Sequence, residues 1–378
     1  MTEKRHNTDT KPPRVLFICK IRSNFYGPSF GLINSCRFIE NALEQNGIDC
    51  KVVSVVDNSD IDREVHKFKP THVFIEALWV VPSKFEELIP LHPKIKWLVR
   101  IHSKIPFLAN EGMAMNWLRE YDELSKVYPQ LNIAANSTEI IESFKAAYGI
   151  KIGHYPNIYY PPDYDDIEVS GDCDYGCHGE HTNGHGKGKK DIDHSDNGHH
   201  HPHPPEKQHI NIGCFGAIRP MKNHLNQALA AIAFGNKLGK KIHFHINSDR
   251  CETGGDPVLK NLVYAFKDTP HKLVFHPWMD HHDFIRVVMN TDVGMQVSLS
   301  ETFNIVAADL AWNNIPVIGS DEVAWLDRKY KADPNSAEDM ADKLRFAYKG
   351  KDHNIQQVNK DNILKYNKRA TKIWLDSL

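Results

Sequence analysis

The sequence contains no long hydrophobic run, since no segment approaches the roughly twenty consecutive apolar residues that a membrane-spanning helix needs. The polar stretch over residues 1–14 also lacks the apolar core of a secretory signal peptide. We therefore expect a soluble, cytoplasmic protein with no transmembrane segment.

An excess of charge of one sign is absent as well. The formal net charge is −2, and residues 1–157 hold 20 Lys plus Arg against 18 Asp plus Glu. A balance this close to neutral gives no global electrostatic reason to bind nucleic acid or an anionic membrane. Composition thus weakens the case for either partner without removing it.

The seven cysteines show no regular spacing. Cys19, Cys36, Cys50 and Cys214 lie in apolar patterns typical of a core, where cysteine behaves as a small hydrophobic residue. The odd number and this placement favour reduced thiols over a disulfide framework.

With 378 residues, 41% of them apolar, the chain can bury two cores of ordinary domain size. Over residues 14–157, short apolar runs such as RVLFICK and THVFIEA alternate with helical patterns, which is typical of βαβ units on a parallel sheet. The alternation restarts over residues 210–350 with runs such as INIGCFG and KIHFHIN. We therefore predict an α/β protein of two Rossmann-like, doubly wound domains that face a cleft.

Two segments stand apart from this alternation. Residues 165–209 hold nine histidines and many glycines but few large apolar side chains, so we expect a disordered or metal-ordered insertion between the domains. Residues 353–378 read as a C-terminal helix that crosses back onto the first domain. Within the second domain, Leu225, Leu229 and Ile232 recur at helical spacing and predict the buried stripe of its first helix.

The most informative stretch is VSLSETFNIVAADLAWNNIPVIGSD, residues 297–321. A strand is predicted to end near Val297, and a helix to begin near Phe303 or Asn304. The exposed amides at such a helix start are positively polarised and can bind a diphosphate. Glu301 precedes these amides and Asp309 follows them, so the two acids can bind hydroxyl groups at either end of such a ligand.

This stretch resembles the acid, seven residues, acid motif of the family-four retaining glycosyltransferases, which have the GT-B fold. The resemblance implies that Glu301 contacts the donor sugar and Asp309 the ribose. The donor-binding amides would then be those of Thr302, Phe303, Asn304 and Ile305. The chain departs from the family pattern, because it reads Glu-Thr-Phe-Asn where the family has Glu-Gly-Phe-Gly and ends in Asp rather than Glu.

Three further segments carry the resemblance. FGAIRPMKNH, residues 215–224, resembles the family's Gly-Arg-x-x-x-x-Lys-Asn segment, which implies that Lys222, and Arg219 in place of the usual arginine, neutralise the diphosphate beside Gly216. VRIHSKIPFLANEG, residues 99–112, has His102 at a strand end, where the family has a histidine against the donor sugar. NFYGPSFGL resembles the family's glycine-rich loop, so Gly27 is a candidate beneath the donor phosphates.

The sequence therefore predicts a retaining glycosyltransferase, a hexosyl- or pentosyltransferase, that uses a UDP- or GDP-sugar as co-substrate and requires no cofactor. The acceptor is unidentified: it is a glycan or another hydroxyl compound, and DNA stays open. No Asp-x-Asp pair follows a strand, so no catalytic metal is expected. The only metal candidate is a weak one in the insertion, formed by Cys173, Cys177, His178 and His181.

Three alternatives remain at this point. One is a phage-type transferase that glycosylates hydroxymethylated bases in DNA. Another is a non-catalytic protein that binds a nucleotide-sugar or a metal. The third, an NAD-linked dehydrogenase, suits two Rossmann halves, but the sequence lacks the Gly-x-Gly-x-x-Gly fingerprint that binds a dinucleotide.

Overall fold

The computed structural model describes most of the chain, in five ranges: residues 12–21, 30–164, 209–252, 254–350 and 355–378. The predicted insertion, apart from His209, lies outside these ranges, and so do Gly27 and the four residues of the candidate metal group.

The first domain is built on a six-stranded parallel sheet with strand order β2-β1-β3-β4-β5-β6. Its strands are β1 (Arg14–Lys20), β2 (Asp49–Val55), β3 (His72–Glu76), β4 (Lys96–Ile101), β5 (Leu131–Ala135) and β6 (Ile152–His154). Its helices are α1 (Phe30–Glu44), α2 (Asp60–Phe68), α3 (Lys84–Leu91), α4 (Ile105–Leu108), α5 (Ala114–Val127) and α6 (Thr138–Tyr148).

The second domain has a five-stranded parallel sheet with strand order β11-β10-β7-β8-β9. Its strands are β7 (His209–Gly213), β8 (Lys241–Asn247), β9 (Lys272–His276), β10 (Val293–Gln296) and β11 (Val317–Gly319). Its helices are α7 (His224–Leu238), α8 (Gly255–Phe266), α9 (His281–Met289), α10 (Ile305–Trp312) and α11 (Ala337–Lys349), and α12 (Ile355–Ser377) ends the chain.

The predicted fold class is therefore confirmed. Each sheet is parallel, and each has its own buried core, as expected for strands that read as near-continuous apolar runs. The strand order of the second sheet reverses between β7 and β10. In an open α/β sheet, ligands bind in the crevice that forms at such a reversal, beyond the carboxyl ends of the strands.

The predicted buried stripe of α7 is wrong in part. Leu229 is 47% exposed, and the buried residues of the helix are mostly small or polar: His224, Gln227, Ala228, Ala230, Ala231, Phe234 and Gly235. Because α7 packs between α8 and α11, its small residues allow close approach on two sides, and the widest side chains do not mark the buried face.

The C-terminal helix α12 packs on both domains. On the first domain, Trp374 is fully buried against Phe17, Phe74 and Tyr155, and its indole N–H donates to the Pro156 carbonyl at 2.8 Å. The buried Asn367 bonds both backbone polar groups of Tyr159, with distances of 3.0 and 2.6 Å. The helix thus fixes the segment that joins the two sheets.

In the described part of the chain, no helix is both long enough and apolar enough to cross a membrane. The cysteines there are free thiols, in agreement with the expectation: Cys19, Cys36, Cys50, Cys214 and Cys251.

Replacing Trp374 by alanine should lower the free energy of unfolding by about 3–5 kcal/mol, because the change leaves a large cavity among three aromatic rings. The matched control is Leu375→Ala on the same helix, since Leu375 is 37% exposed. Urea unfolding followed by fluorescence and circular dichroism measures both. Equal unfolding midpoints for the two variants would show that α12 does not stabilise the first domain.

Candidate active site

The segment that carries Lys222 is hydrogen-bonded to the loop after β10. Pro220–Lys222 forms a single 3₁₀ turn, and the Lys222 carbonyl accepts from Gln227 Nε2 at 2.8 Å. The same Gln227 side chain accepts from the Val297 amide at 2.8 Å, and the Leu299 amide donates to the Met221 carbonyl at 2.9 Å. Because β7 and β10 are neighbours in the sheet, these bonds place both loops at the reversal of strand order.

At this position Lys222 and Glu301 form a buried ion pair. Lys222 Nζ donates to Glu301 Oε1 at 2.5 Å, and the two side chains are only 11% and 8% exposed. Gly216 lies beside the pair with a φ of +114°, and a Cβ built on it would lie 3.8 Å from Lys222 Cε. Two predicted site residues, Lys222 and Glu301, are thus brought together next to a third, Gly216.

Asn304 occupies the position of the second glycine in the Glu-Gly-Phe-Gly pattern that this segment resembles. Its φ of 64° lies in the left-handed region, which glycine adopts freely and asparagine tolerates best among the other residues. Its side chain accepts from the Ala307 amide at 2.9 Å and so caps α10, and it also donates to Gln296 Oε1 at 3.1 Å. The predicted helix start is therefore correct, with Asn304 as its N-cap.

The Glu301 loop is also bonded to the first domain. Thr302 Oγ1 accepts from Asn136 Nδ2 at 3.1 Å. Glu322 Oε2 accepts both from the Glu301 amide at 3.1 Å and from Lys104 Nζ at 2.9 Å. Thr302 occupies the position of the first glycine in the pattern that this segment resembles, and its hydroxyl makes a contact between domains that glycine cannot make.

Asp309 lies in α10 and is 1% exposed. Its Oδ1 accepts from the Tyr159 hydroxyl at 2.7 Å and from His281 Nε2 at 2.8 Å. Burial and the Asp309 carboxylate raise the pKa of Tyr159 well above its ordinary value, so the hydroxyl stays a donor. Burial alone would lower the pKa of His281, but Asp309 outweighs it, and the pKa is raised.

Asp309 and Gly216 line the same pocket, which is lined by residues of both domains. The first domain contributes Gly31 and Asn34 from α1, and the second contributes Trp278, Met279 and Phe284. Ile305, at the start of α10, also lines it. The pocket is thus apolar for most of its surface, as in many small-molecule sites, and its polar side chains are those of Asn34, Asn247, Asp280, His281 and Asp309.

His102 belongs to a buried polar cluster of the first domain. Its Nε2 is hydrogen-bonded to Glu76 Oε2, which also accepts from Arg100 Nη1 at 2.9 Å. Arg100 Nη2 donates to Asn157 Oδ1 at 2.6 Å, and Asn136 bonds the same oxygen at 3.3 Å. Through Asn136 the cluster reaches Thr302, so it borders the Glu301 loop.

Charges within this cluster set its protonation. Burial alone would raise the pKa of Glu76, but Arg100 and His102 hold it below its ordinary value. Burial and the neighbouring Arg100 lower the pKa of His102, against the opposing effect of Glu76. His102 is therefore a neutral hydrogen-bonding group near pH 7, with its side chain 17% exposed.

Arg219 is engaged away from the Lys222–Glu301 pair. Its Nη1 donates to Glu252 Oε2 at 2.7 Å, and its guanidinium lies 4.5 Å from the ring centroid of Phe107 in the first domain. The structure thus gives Arg219 a contact between domains. Its leaving-group role stays a prediction.

Several residues of this region were missed in the sequence. Glu76 carries a recognisable signal, because an acid at the carboxyl end of a buried strand faces the ligand edge of the sheet. Tyr159 and His281 carry none, since their partner Asp309 is 150 and 28 residues away along the chain.

Within the described ranges, no group of three or more His, Cys, Asp or Glu side chains is arranged to hold a metal ion.

Neither a protein-family model nor a curated protein sequence matches the chain. Solved structures do match. The trehalose-6-phosphate synthase OtsA has a TM-score of 0.61 at 12% identity, over 96% of this chain and 98% of that one. Sucrose-phosphate synthase from Thermosynechococcus elongatus has a TM-score of 0.59 at 11% identity, over 96% and 98%.

A third match is the trehalose-6-phosphate structure from E. coli bound with UDP-2-fluoro glucose, with a TM-score of 0.59 at 11% identity over 96% of this chain and 98% of that one. These structures share the GT-B fold, in which two Rossmann-like domains face each other. At 11–12% identity, the likeness shows the fold alone, and this chain has the GT-B fold.

Asn304→Ala should destabilise the protein more than Asn304→Gly, by about 1 kcal/mol, because both variants lose the cap and the bond to Gln296 but only alanine is strained at a positive φ. Chemical unfolding of both variants beside the parent measures the difference. Equal losses would mean that the left-handed conformation of residue 304 is not required in solution.

Proposed function

We propose that this protein is a retaining glycosyltransferase that transfers a sugar from a nucleotide-sugar to an acceptor hydroxyl. The observation that carries the proposal is the buried Lys222–Glu301 pair beside Gly216, at the edge of the pocket between the domains. A cation, a carboxylate and a helix N-terminus converge there. Together they fit the diphosphate and the sugar of one donor molecule.

Each part of the proposed donor is assigned to the groups that lie beside the pocket. Lys222 and the amides of Thr302 to Ile305 bind the diphosphate, because both present positive charge at the start of α10. Glu301 accepts a hydrogen bond from a sugar hydroxyl. Asp309 uses Oδ2 for the ribose, since both hydrogen bonds of its carboxylate within the described residues go to Oδ1.

In the proposed reaction, the bond between the sugar anomeric carbon and the diphosphate oxygen breaks, and its electron pair stays on that oxygen. Lys222 and the α10 amides stabilise the charge that develops there. The acceptor oxygen bonds to the anomeric carbon on the same face, and its proton passes to the departing diphosphate. No protein nucleophile takes part, so the protein's contribution is positioning and charge stabilisation.

The compared structures support this proposal. OtsA is a trehalose-6-phosphate synthase, and the E. coli structure holds UDP-2-fluoro glucose. We therefore propose a UDP-sugar, rather than a GDP-sugar, as the donor. His102 is proposed as a neutral hydrogen-bonding group for the donor sugar, with Glu76 and Arg100 fixing its ring.

A thermal-shift panel of UDP- and GDP-sugars should identify the donor, because a ligand at 100 times its dissociation constant stabilises the folded state by about 2.7 kcal/mol. We expect a UDP-sugar to raise the unfolding temperature by several degrees, and UMP to raise it less. No shift with any sugar nucleotide at millimolar concentration would contradict the proposed function.

Lys222→Ala should lower kcat by about 10²–10³-fold at saturating donor, since it removes the cation at the leaving group. Slow hydrolysis of the donor without acceptor is the assay, and it also separates an enzyme from a non-catalytic binding protein. Lys237→Ala is the matched control, because Lys237 lies on α7 with its side chain 45% exposed. A Lys222→Ala enzyme with normal turnover would remove Lys222 from the mechanism.

A further inference from the structure

Asp309 is buried in α10, between apolar residues of that helix, but lines the donor pocket. The residues around it in α10 are Ala307, Ala308, Leu310 and Ala311, all at most 1% exposed. A buried carboxylate is stabilised by hydrogen bonds, and one from a charged donor is stronger than one from a neutral group.

His281 is the cation within reach. Its Nε2 donates to Asp309 Oδ1 at 2.8 Å, and its own side chain is 9% exposed. His281 is also the first residue of α9, where the helix dipole disfavours a positive charge. Burial also lowers its pKa, but the attraction of Asp309, with a smaller contribution from Asp280, outweighs burial and raises the pKa.

The other groups that face His281 come from three elements. From the segment between β6 and β7, Tyr164 Oη lies 2.8 Å from His281 Nδ1. The Tyr159 hydroxyl, from the same segment, donates to the Asp309 oxygen that also contacts His281. From α1, the ring of Phe38 packs against the imidazole at 5.5 Å, and Arg37 acts on Tyr164. Beside His281 in the chain are Asp280, the N-cap of α9, which also raises the pKa of His281, and His282 in α9.

We propose that His281 is a positioning residue for the donor: its imidazolium binds Asp309 Oδ1 and fixes the carboxylate, so that Oδ2 can accept a donor hydroxyl. This inference rests on the proposed function, because it concerns the same pocket. It adds a group outside the acid pair, on another helix, whose charge controls affinity for the sugar nucleotide.

The sign of the pH dependence follows from the raised pKa of His281. The imidazolium is fully present below the ordinary histidine pKa of about 6.5 and persists above it. Its contribution to donor affinity is lost as the pH rises through the raised value. By linkage, donor binding must in turn raise the pKa of His281, so the protein takes up protons when it binds donor in that pH range.

His281→Gln tests the inference, because the glutamine amide can still donate to Asp309 but cannot carry charge. The probe is UDP-glucose or GDP-glucose, whichever gives the larger thermal shift, with binding measured by calorimetry from about pH 6 to about pH 9 around the histidine range. The parent protein should bind about tenfold more weakly at the high-pH end. His281→Gln should bind weakly throughout, with a flat pH profile.

His282→Gln is the matched control and should keep the pH profile of the parent. Calorimetry of the parent protein in two buffers of different ionisation enthalpy counts the protons taken up, so this readout does not depend on a variant that folds. Affinity that is pH-independent in the parent, without proton uptake, would overturn the role of His281 alone. The same profile in parent and His281→Gln would overturn it too. Failure of the parent to bind either sugar nucleotide would overturn the proposed function, and this inference with it.

Discussion

The ion pair between Lys222 and Glu301 imposes the main constraint on the second domain. Removing two charges from water is costly, and their attraction offsets that cost only when the geometry is fixed. The geometry of the pair is fixed by two neighbouring strands, since β7 leads to Lys222 and β10 leads to Glu301. The Gln227 side chain is hydrogen-bonded to both loops. The reversal of strand order therefore does more than open a crevice. It also brings two loops distant in sequence close enough to share one buried pair.

Buried carboxylates paired with a side chain from another segment recur around the cleft. Glu76, Asp309 and Glu301 are each at most 9% exposed, and each has a cationic or protonatable partner from another segment. Arg100 serves Glu76, His281 serves Asp309 and Lys222 serves Glu301. Because the partners differ in chemistry, they respond differently to pH: arginine keeps its charge throughout, whereas histidine loses it within the neutral range. The proposed ribose end of the pocket is therefore its pH-sensitive end.

Much of the fold could be predicted because it depends on local patterns. RVLFICK coincides with β1, which is buried on both faces, and KIHFHIN coincides with β8, in which buried apolar residues alternate with less buried histidines. The start of α10 was also predictable from the Glu301 motif. The buried face of α7 was not, because packing on two sides selects small residues such as Ala230 rather than the most hydrophobic ones.

The residues of the site also divide into those that local sequence patterns predict and those that they do not. Glu301 and Lys222 could be proposed from short motifs, whereas His281 and Tyr159 could not, since their significance arises only when Asp309 is packed against them. Hydrogen bonds between residues this far apart in sequence leave no periodic signal. A motif identifies residues that meet the ligand more readily than residues that hold them in place.

The pair of Lys222 and Glu301 is compatible with a bound donor. A lysine ammonium has three hydrogen-bond donors, and the contact with Glu301 Oε1 uses one of them. In the proposed complex, the remaining two donate to phosphate oxygens of the donor while Glu301 stays bound. The carboxylate therefore holds the lysine in place before the diphosphate arrives, which lowers the entropy that binding must overcome. Arg219, held by Glu252 and Phe107, would have to break both contacts to do the same. This difference favours Lys222 as the leaving-group cation.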